Sequence, residues 1–263
     1  MIKNLLFIIS TIIGLYALFF IIVVVITFFK NKEHFVLEKS TYKKQTLFYQ
    51  MFMIPYMFGY TMAHTNPNCF RPHGVILFEG RQGCGKSSAM MKYATDLKEQ
   101  YPLCKIITNT DFNLADDEIH DWTDMLSIKN GELGLVVILD ELQQWFNSKQ
   151  SKDFPPECLS YITQLRKERK IVLGTCQQFY MVSKDIRTQV SEIRRCRCIL
   201  GVLNVVMRFR PIVDSEGSVE KYQFLGLYWF VQNNKLRNSY DTYKTVDNLV
   251  KSGFQSRNKV VQL

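Results

Sequence analysis
Gly74-Val-Ile-Leu-Phe-Glu79, followed by Gly80-Arg81-Gln82-Gly83-Cys84-Gly85-Lys86-Ser87-Ser88, is the stretch from which the rest of the chain can be read. Val75 to Phe78 form a short apolar run of the kind a strand covered on both faces requires. The loop after it fills every fixed position of the G-x-x-x-x-G-K-[ST] pattern, at Gly80, Gly85, Lys86 and Ser87. Ala89-Met90-Met91-Lys92 then continue with good helix formers. Strand, loop and helix in that order suit one task. Glycines let successive backbone N–H groups curl around a polyphosphate, and the helix start adds unpaired donors and the positive end of its dipole. The spacing predicts a nucleotide site in which residues 80–88 wrap the phosphates of ATP. Lys86 reaches the β and γ phosphates and Ser87 ligates Mg²⁺. A chance glycine turn would not bring four fixed residues and both flanks into agreement.

Leu133-Gly-Leu-Val-Val-Ile-Leu-Asp140-Glu141 is the second strong signal. A continuous apolar run is expected of a central parallel strand, and in open α/β sheets the ligand sits at the carboxyl ends of the strands. Asp140 is there placed to hold Mg²⁺ through water, and Glu141 to polarise the attacking water. An ordinary buried strand with a helix cap would carry the same residues, but without a complete phosphate loop upstream. Ile171 to Thr175 read as a third apolar strand, whose tip, Thr175-Cys176-Gln177-Gln178, sets a polar side chain where it can sense a γ-phosphate.

The connecting stretches are plainer. Helices are expected over 86–99, 143–146 and 157–169, the last with a basic end from Arg166 to Lys170, and a short strand over 105–108. Residues 111–124 are acidic and read as surface turns and a helix. Residues 193–213 alternate as a strand pattern with arginine on one face, and Tyr222 to Val231 form an aromatic strand that can complete a hairpin. From Asn233 on, the chain reads as a loosely ordered polar, basic tail.

At the other end, Leu5 to Phe29 carry no charge over 25 residues, enough to cross a bilayer with some tilt. No small-residue cleavage site follows, so the segment reads as an uncleaved anchor rather than a signal peptide. Lys3 precedes it, and Lys30, Lys32, Lys39, Lys43 and Lys44 follow, which places the bulk of the chain in the cytoplasm, on the side where ATP is. Residues 33–46 read as a juxtamembrane linker or short helix. Leu47 to Ala63 are uncharged and rich in Met and aromatic residues, but Pro55 and Gly59 interrupt them. They read as an interfacial or core-packing segment, with a second short span as the alternative. The expected division is 1–30 anchor, 31–73 juxtamembrane segment and linker, 74–232 nucleotide-binding domain and 233–263 tail.

Charge is unevenly spread. Residues 1–148 hold 13 Lys/Arg against 14 Asp/Glu, and residues 149–263 hold 20 against 10, so the second part supplies the whole net charge of +9. That excess suggests an anionic partner, nucleic acid or an acidic membrane surface, beside the plainer reading of a solvated basic face. Cys69, Cys84, Cys104, Cys158, Cys176, Cys196 and Cys198 form no CxxC pair, and no His stands at zinc-site spacing. These read as reduced cytosolic thiols, with Cys196 and Cys198 on one face of a strand.

In order along the chain come the phosphate loop, the strand end Leu139-Asp140-Glu141-Leu142-Gln143-Gln144-Trp145-Phe146, and the basic run Leu165-Arg166-Lys167-Glu168-Arg169. Thr175-Cys176-Gln177 and Asp185-Ile186-Arg187 follow. This string resembles the zonular occludens toxin (Zot)-like ATPases, filamentous phage assembly proteins within the FtsK–HerA class of P-loop motors. The resemblance covers about residues 74–200. It implies a RecA-like α/β P-loop NTPase with a mostly parallel sheet, here with an N-terminal transmembrane helix and a C-terminal β-rich extension. It further implies ATP hydrolysis with Mg²⁺ by a homo-oligomer, a hexameric ring, at the host inner membrane. Such a motor drives single-stranded phage DNA outward with other assembly or secretion proteins. By the same resemblance Lys86 and Ser87 contact phosphate and Mg²⁺, Asp140 and Glu141 serve metal and water, and Gln177 senses the γ-phosphate. Arg187, and less directly Arg166, would act across the ring. Zot-like assembly ATPases usually carry the span after the ATPase domain, whereas here it comes first, as in FtsK-like and conjugative pumps. A conjugative or packaging DNA pump is therefore the alternative cargo reading, and an ATP-regulated membrane scaffold without DNA transport the alternative of another class.

Overall fold
The computed structural model describes residues 2–30, 46–64, 66, 69–146, 156–214 and 217–240. The chain divides into two compact units, 1–67 and 68–263. The first is a helix pair. Helix α1 (Ile2–Lys30) is, among the described residues, the one helix long and apolar enough to cross a bilayer, with mean hydropathy 3.0 over Ile9–Lys30. Helix α2 (Leu47–His64) runs through Pro55 and packs on α1. The rings of Phe19 and Phe52 meet at 5.3 Å, and the Tyr16 hydroxyl donates to the Met51 carbonyl at 3.0 Å. The expected linker over 33–46 lies, but for its last residue, outside the described residues.

The second unit is built on one eight-stranded sheet. Its elements are β1 (Gly74–Glu79), α3 (Lys86–Gln100), β2 (Lys105–Thr108), β3 (Asp117–Glu118), α4 (Trp122–Ser127), β4 (Leu135–Leu139), α5 (Leu142–Trp145), α6 (Pro156–Gln164), β5 (Lys170–Cys176), α7 (Lys184–Arg187), β6 (Val190–Ile199), β7 (Leu203–Val213), β8 (Val219–Val231) and α8 (Asn234–Arg237). The strand order is β3-β2-β4-β5-β1-β6-β7-β8. All pairings from β3 to β6 are parallel, and β6–β7 and β7–β8 are antiparallel. The chain leaves β1 toward one edge of the sheet and returns through β5 to the other side of β1. The phosphate loop therefore sits where the winding reverses, the usual place for a ligand crevice.

The parallel strands are apolar because both faces are covered. Ile76, Phe78, Ile106, Val136, Ile138 and Leu173 pack toward α3, against Met90, Met91 and Ala94. Leu77, Val137, Leu139 and Val172 pack on the other face, against Leu142, Trp145, Tyr161, Phe179 and Ile186. All five residues of β4 are fully buried, and such side chains contribute about 1.5–3 kcal/mol each.

Several expectations are corrected. The helix over 157–169 ends at Gln164; residues 165–169 form tight turns, with Arg169 at φ 53°, because the chain must reverse direction to enter β5. Lys170, at the end of the basic run, is fully buried, donating to the Met125 carbonyl at 3.2 Å and pairing with Glu168 at 2.8 Å. The alternating run over 193–213 is two strands joined by the three residues 200–202, with Leu200 and Gly201 both at positive φ (53° and 69°) and Leu where Asn or Asp is usual. Its arginines do not share a face. Arg194 and Arg208 point toward α3, where both bind Glu192, while Arg195 pairs with Glu79 and stacks on Phe209 and Tyr222. The β-rich extension continues the main sheet, since β6 pairs in parallel with β1. The acidic stretch contributes the two-residue edge strand β3 as well as turns and a helix. The expected loose tail begins with packed residues: Leu236 is buried, and Tyr240 bridges to Phe112. Residues 241–263 lie outside the described residues.

Candidate nucleotide site
The loop over 80–85 is shaped by its glycines and by what stands behind them. Gly85 caps α3 at φ 81°, and a Cβ there would fall 2.4 Å from the Asn204 amide oxygen. At Gly80, a Cβ would strike the Cys84 sulfur at 2.4 Å. Any side chain at either place would push the loop off its support. Lys86 is nearly buried, and its ammonium donates to the Arg81 carbonyl at 3.2 Å, so the cation lies within the curve of the loop. Gly80 N–H donates to the Cys176 carbonyl at 3.3 Å, which ties the loop to the end of β5.

The two carboxylates expected beside the loop are brought to it. The Ser87 hydroxyl lies 3.3 Å from both oxygens of Asp140. Thr175 donates its hydroxyl to Asp140 at 2.5 Å and accepts from the Glu141 N–H at 2.9 Å, so the tip of β5 orients both acidic residues. Asn109, just past β2, closes the other side. It accepts from the Asp140 N–H at 2.8 Å and donates to the Asp140 carbonyl at 3.1 Å. Glu141 takes the left-handed backbone conformation at φ 54° and heads α5. Its carboxylate accepts from the Gln143 side-chain amide. Burial, and then the neighbouring charge of Asp140, push the Glu141 carboxyl above its ordinary range, against the pull of Lys86. A raised carboxyl is a better proton acceptor, as a water-activating group needs.

The donor set suits a nucleoside triphosphate with Mg²⁺. Mg²⁺ takes one or two protein oxygens together with phosphates and water, and Ser87 and Asp140 supply that pair within 3.3 Å of each other. The backbone N–H groups at the start of α3 and the Lys86 ammonium are the donors that would face its phosphates.

The remaining expected residues are placed less directly. Gln177 follows β5 and is half-buried beside the loop's anchor at Cys176. Arg187, at the end of α7, lays its guanidinium over the Tyr180 ring at 5.5 Å, and its described contacts do not include the phosphate loop, Asp140 or Glu141. Arg166 lies in the turn before β5, at the end of that strand remote from Cys176.

Four further residues shape the site: Thr175, Asn109, Glu79 and Asn204. Glu79 ends β1 immediately before the loop, accepting from the Phe179 N–H at 2.9 Å and from Arg195 at 2.9 Å. Asn204 is fully buried on β7, within 3.4 Å of the Gly85 carbonyl, and is itself held by Gln232 at 3.0 Å. Only Thr175 carried a signal, as a polar residue at the tip of an apolar strand.

The comparison with curated proteins returns no match. Among solved structures, the N-terminal domain of zonular occludens toxin from Neisseria meningitidis is 18% identical, with 64% of this chain and 98% of that one covered at a TM-score of 0.47. The genome packaging NTPase B204 from Sulfolobus turreted icosahedral virus 2, in complex with ATP-gammaS, is 19% identical over 52% of this chain and 77% of that one, at a TM-score of 0.39. The model of the zonular occludens toxin (Zot) family matches residues 74–239, more than half of the chain, and this chain belongs to that family.

Proposed function
We propose that this protein is a membrane-anchored ATPase that couples ATP hydrolysis to the movement of DNA, as a filamentous-phage assembly protein exporting single-stranded phage DNA at the host inner membrane. The observation that carries the reading is the convergence of Ser87, Asp140 and Thr175 beside a complete phosphate loop. Mg²⁺, when bound, neutralises phosphate charge and polarises the scissile phosphoryl group. Lys86 holds phosphate from within the loop, and Ser87 with Asp140 offers the metal its protein oxygens. Glu141, raised by burial, orients and deprotonates the attacking water. Gln177 stands at the strand tip where the γ-phosphate is sensed. Arg187 is assigned to a neighbouring subunit's site in a homo-oligomeric ring of six. Helix α1 anchors the chain with residues 68–263 in the cytoplasm, and other assembly or secretion proteins complete the export complex.

The test is ATP hydrolysis by the full chain in detergent, with and without single- and double-stranded DNA. Hydrolysis stimulated by single strands, and abolished in both Lys86→Ala and Glu141→Gln, is the expected result. Preference for duplex would turn the reading toward a packaging or conjugative pump. Hydrolysis indifferent to either would sink the DNA-motor reading.

A further inference from the structure
The end of the sheet remote from the phosphate loop carries a second concentration of charge. A cleft of about 730 Å³ opens between the segment entering β1 and the turn entering β5, with Arg71, His73, Gln164, Arg166, Lys167 and Arg169 in its lining. Glu168 belongs to the same turn but is held elsewhere, by Lys170 at 2.8 Å and Lys129 at 3.3 Å. Among the described residues, none of the cleft's arginines or its lysine is paired with a carboxylate. Arg169 donates to the Phe70 carbonyl at 3.3 Å, while Arg71, Arg166 and Lys167 are exposed. Like charges that face one cavity without a counter-charge repel each other, and an anion entering it is attracted by all of them.

The cleft is distinct from the nucleotide site. It lies at the amino ends of β1 and β5, where Gly74 pairs with Ile171, whereas the phosphate loop follows Glu79 at the other end. Six strand residues at ~3.3 Å each set the two about 20 Å apart.

The lining identifies the ligand class. It offers guanidinium and ammonium donors, which match phosphate oxygens. Of its aromatic residues Phe70 is fully buried, which leaves the His73 imidazole as the one exposed ring, too little for the run of stacked bases a single strand needs. In sequence, Arg71 follows His64, the last residue of the apolar helix pair, by only seven positions. A compact cationic pocket on such a short tether suits the negative surface of a cytoplasmic leaflet better than a nucleic-acid strand, which needs a long groove and stacking surfaces. We propose that this cleft binds the phosphate headgroup of an anionic phospholipid and so seats residues 68–263 against the membrane. The proposal rests on the membrane part of the functional reading and not on the ATP chemistry.

The experiment follows thermal unfolding of the full chain in a nonionic detergent. Trp122, Trp145 and Trp229 all belong to residues 68–263, so intrinsic fluorescence reports that unit. Dihexanoyl phosphatidylglycerol is titrated against dihexanoyl phosphatidylcholine, inorganic phosphate and a 20-nucleotide single strand. At about a hundredfold excess over Kd, the anionic lipid is expected to raise Tm by ~5 °C or more. Phosphatidylcholine should leave it unchanged, and the R71A/R166A/K167A variant should lose the shift. An equal shift in that variant, or with phosphatidylcholine, overturns the proposal. So does an oligonucleotide that acts through the same three residues and displaces the lipid, which would make the cleft a nucleic-acid backbone site. An equal shift with inorganic phosphate at the same concentration overturns the lipid assignment in favour of a free anion. Alkaline extraction of membranes carrying the full chain judges the membrane reading separately: release into solution removes the anchor, whatever the lipid titration shows.

Discussion

The parallel strands β2, β4, β5 and β1 are covered on both faces, whereas β7 and β8 cover only one. Side chains of β4 are fully buried, while Leu227, Trp229 and Val231 of β8 are more than half exposed. The parallel half needs cores on both sides, and it presents the candidate site at its carboxyl ends, where Glu79, Asp140 and Thr175 emerge. The antiparallel half contributes none of the expected catalytic groups. It acts as a buttress, with Asn204 behind Gly85 and Arg195 on Glu79. The two-sided core and the expected catalytic groups are thus concentrated in one half, and support for the loop in the other.

The largest effect belongs at the carboxyl ends. Lys86→Ala is expected to lower ATP hydrolysis by about 10³-fold or more, while the far-ultraviolet spectrum stays that of the wild type. Retained hydrolysis would mean the loop does not hold the phosphates. A second contrast tests the two faces directly by denaturant unfolding. Ile138→Ala, in the fully buried strand, should cost about 3–4 kcal/mol, and Trp229→Ala on the open face no more than about 1 kcal/mol. Equal losses would show that β8 is covered in solution.

The seam between the halves comes next. Glu192 accepts from Arg194 and Arg208, each at 2.7 Å, and the Arg194 guanidinium lies 3.8 Å from the Tyr93 ring centroid on α3. Burial alone would raise the Glu192 carboxyl, but the two arginines outweigh it and hold it below the ordinary range. Glu192→Gln should therefore cost about 2–3 kcal/mol at neutral pH. A depressed carboxyl stabilises the fold above its ordinary pKa and loses that contribution as pH falls through the depressed value. The gap between wild type and variant should accordingly close in acid, and a gap independent of pH would refute the ionic account. The smallest effect is expected at Asn204→Ala, which removes the support behind Gly85: ATP affinity should fall by about 5–10-fold, measured by titration, with the fold intact.

Legibility in the sequence follows the same division. Strands β1, β4 and β5 announce themselves because burial on both faces leaves no room for polar residues. The phosphate loop is local in sequence, so Gly80, Gly85, Lys86 and Ser87 could be assigned from spacing alone. In the antiparallel half, Leu200-Gly201 forms a turn without the usual Asn or Asp, and one alternating run concealed two strands. Asn109, Asn204 and Glu79 escaped notice because single polar residues acquire meaning only from partners 31, 119 and 116 positions away.

By itself, the sequence determined that this chain carries a complete phosphate-loop pattern at the end of a buried strand and an apolar helix long enough to span a bilayer. Both are properties of contiguous residues, encoded by spacing and hydropathy. Tertiary structure alone decided which carboxylates and hydroxyls meet, that Arg195 finds Glu79 and Arg208 finds Glu192, and that Arg71 joins Arg166 and Lys167 around one cleft. Those are long-range contacts, set by strand order and register, and no local pattern in the chain encodes them.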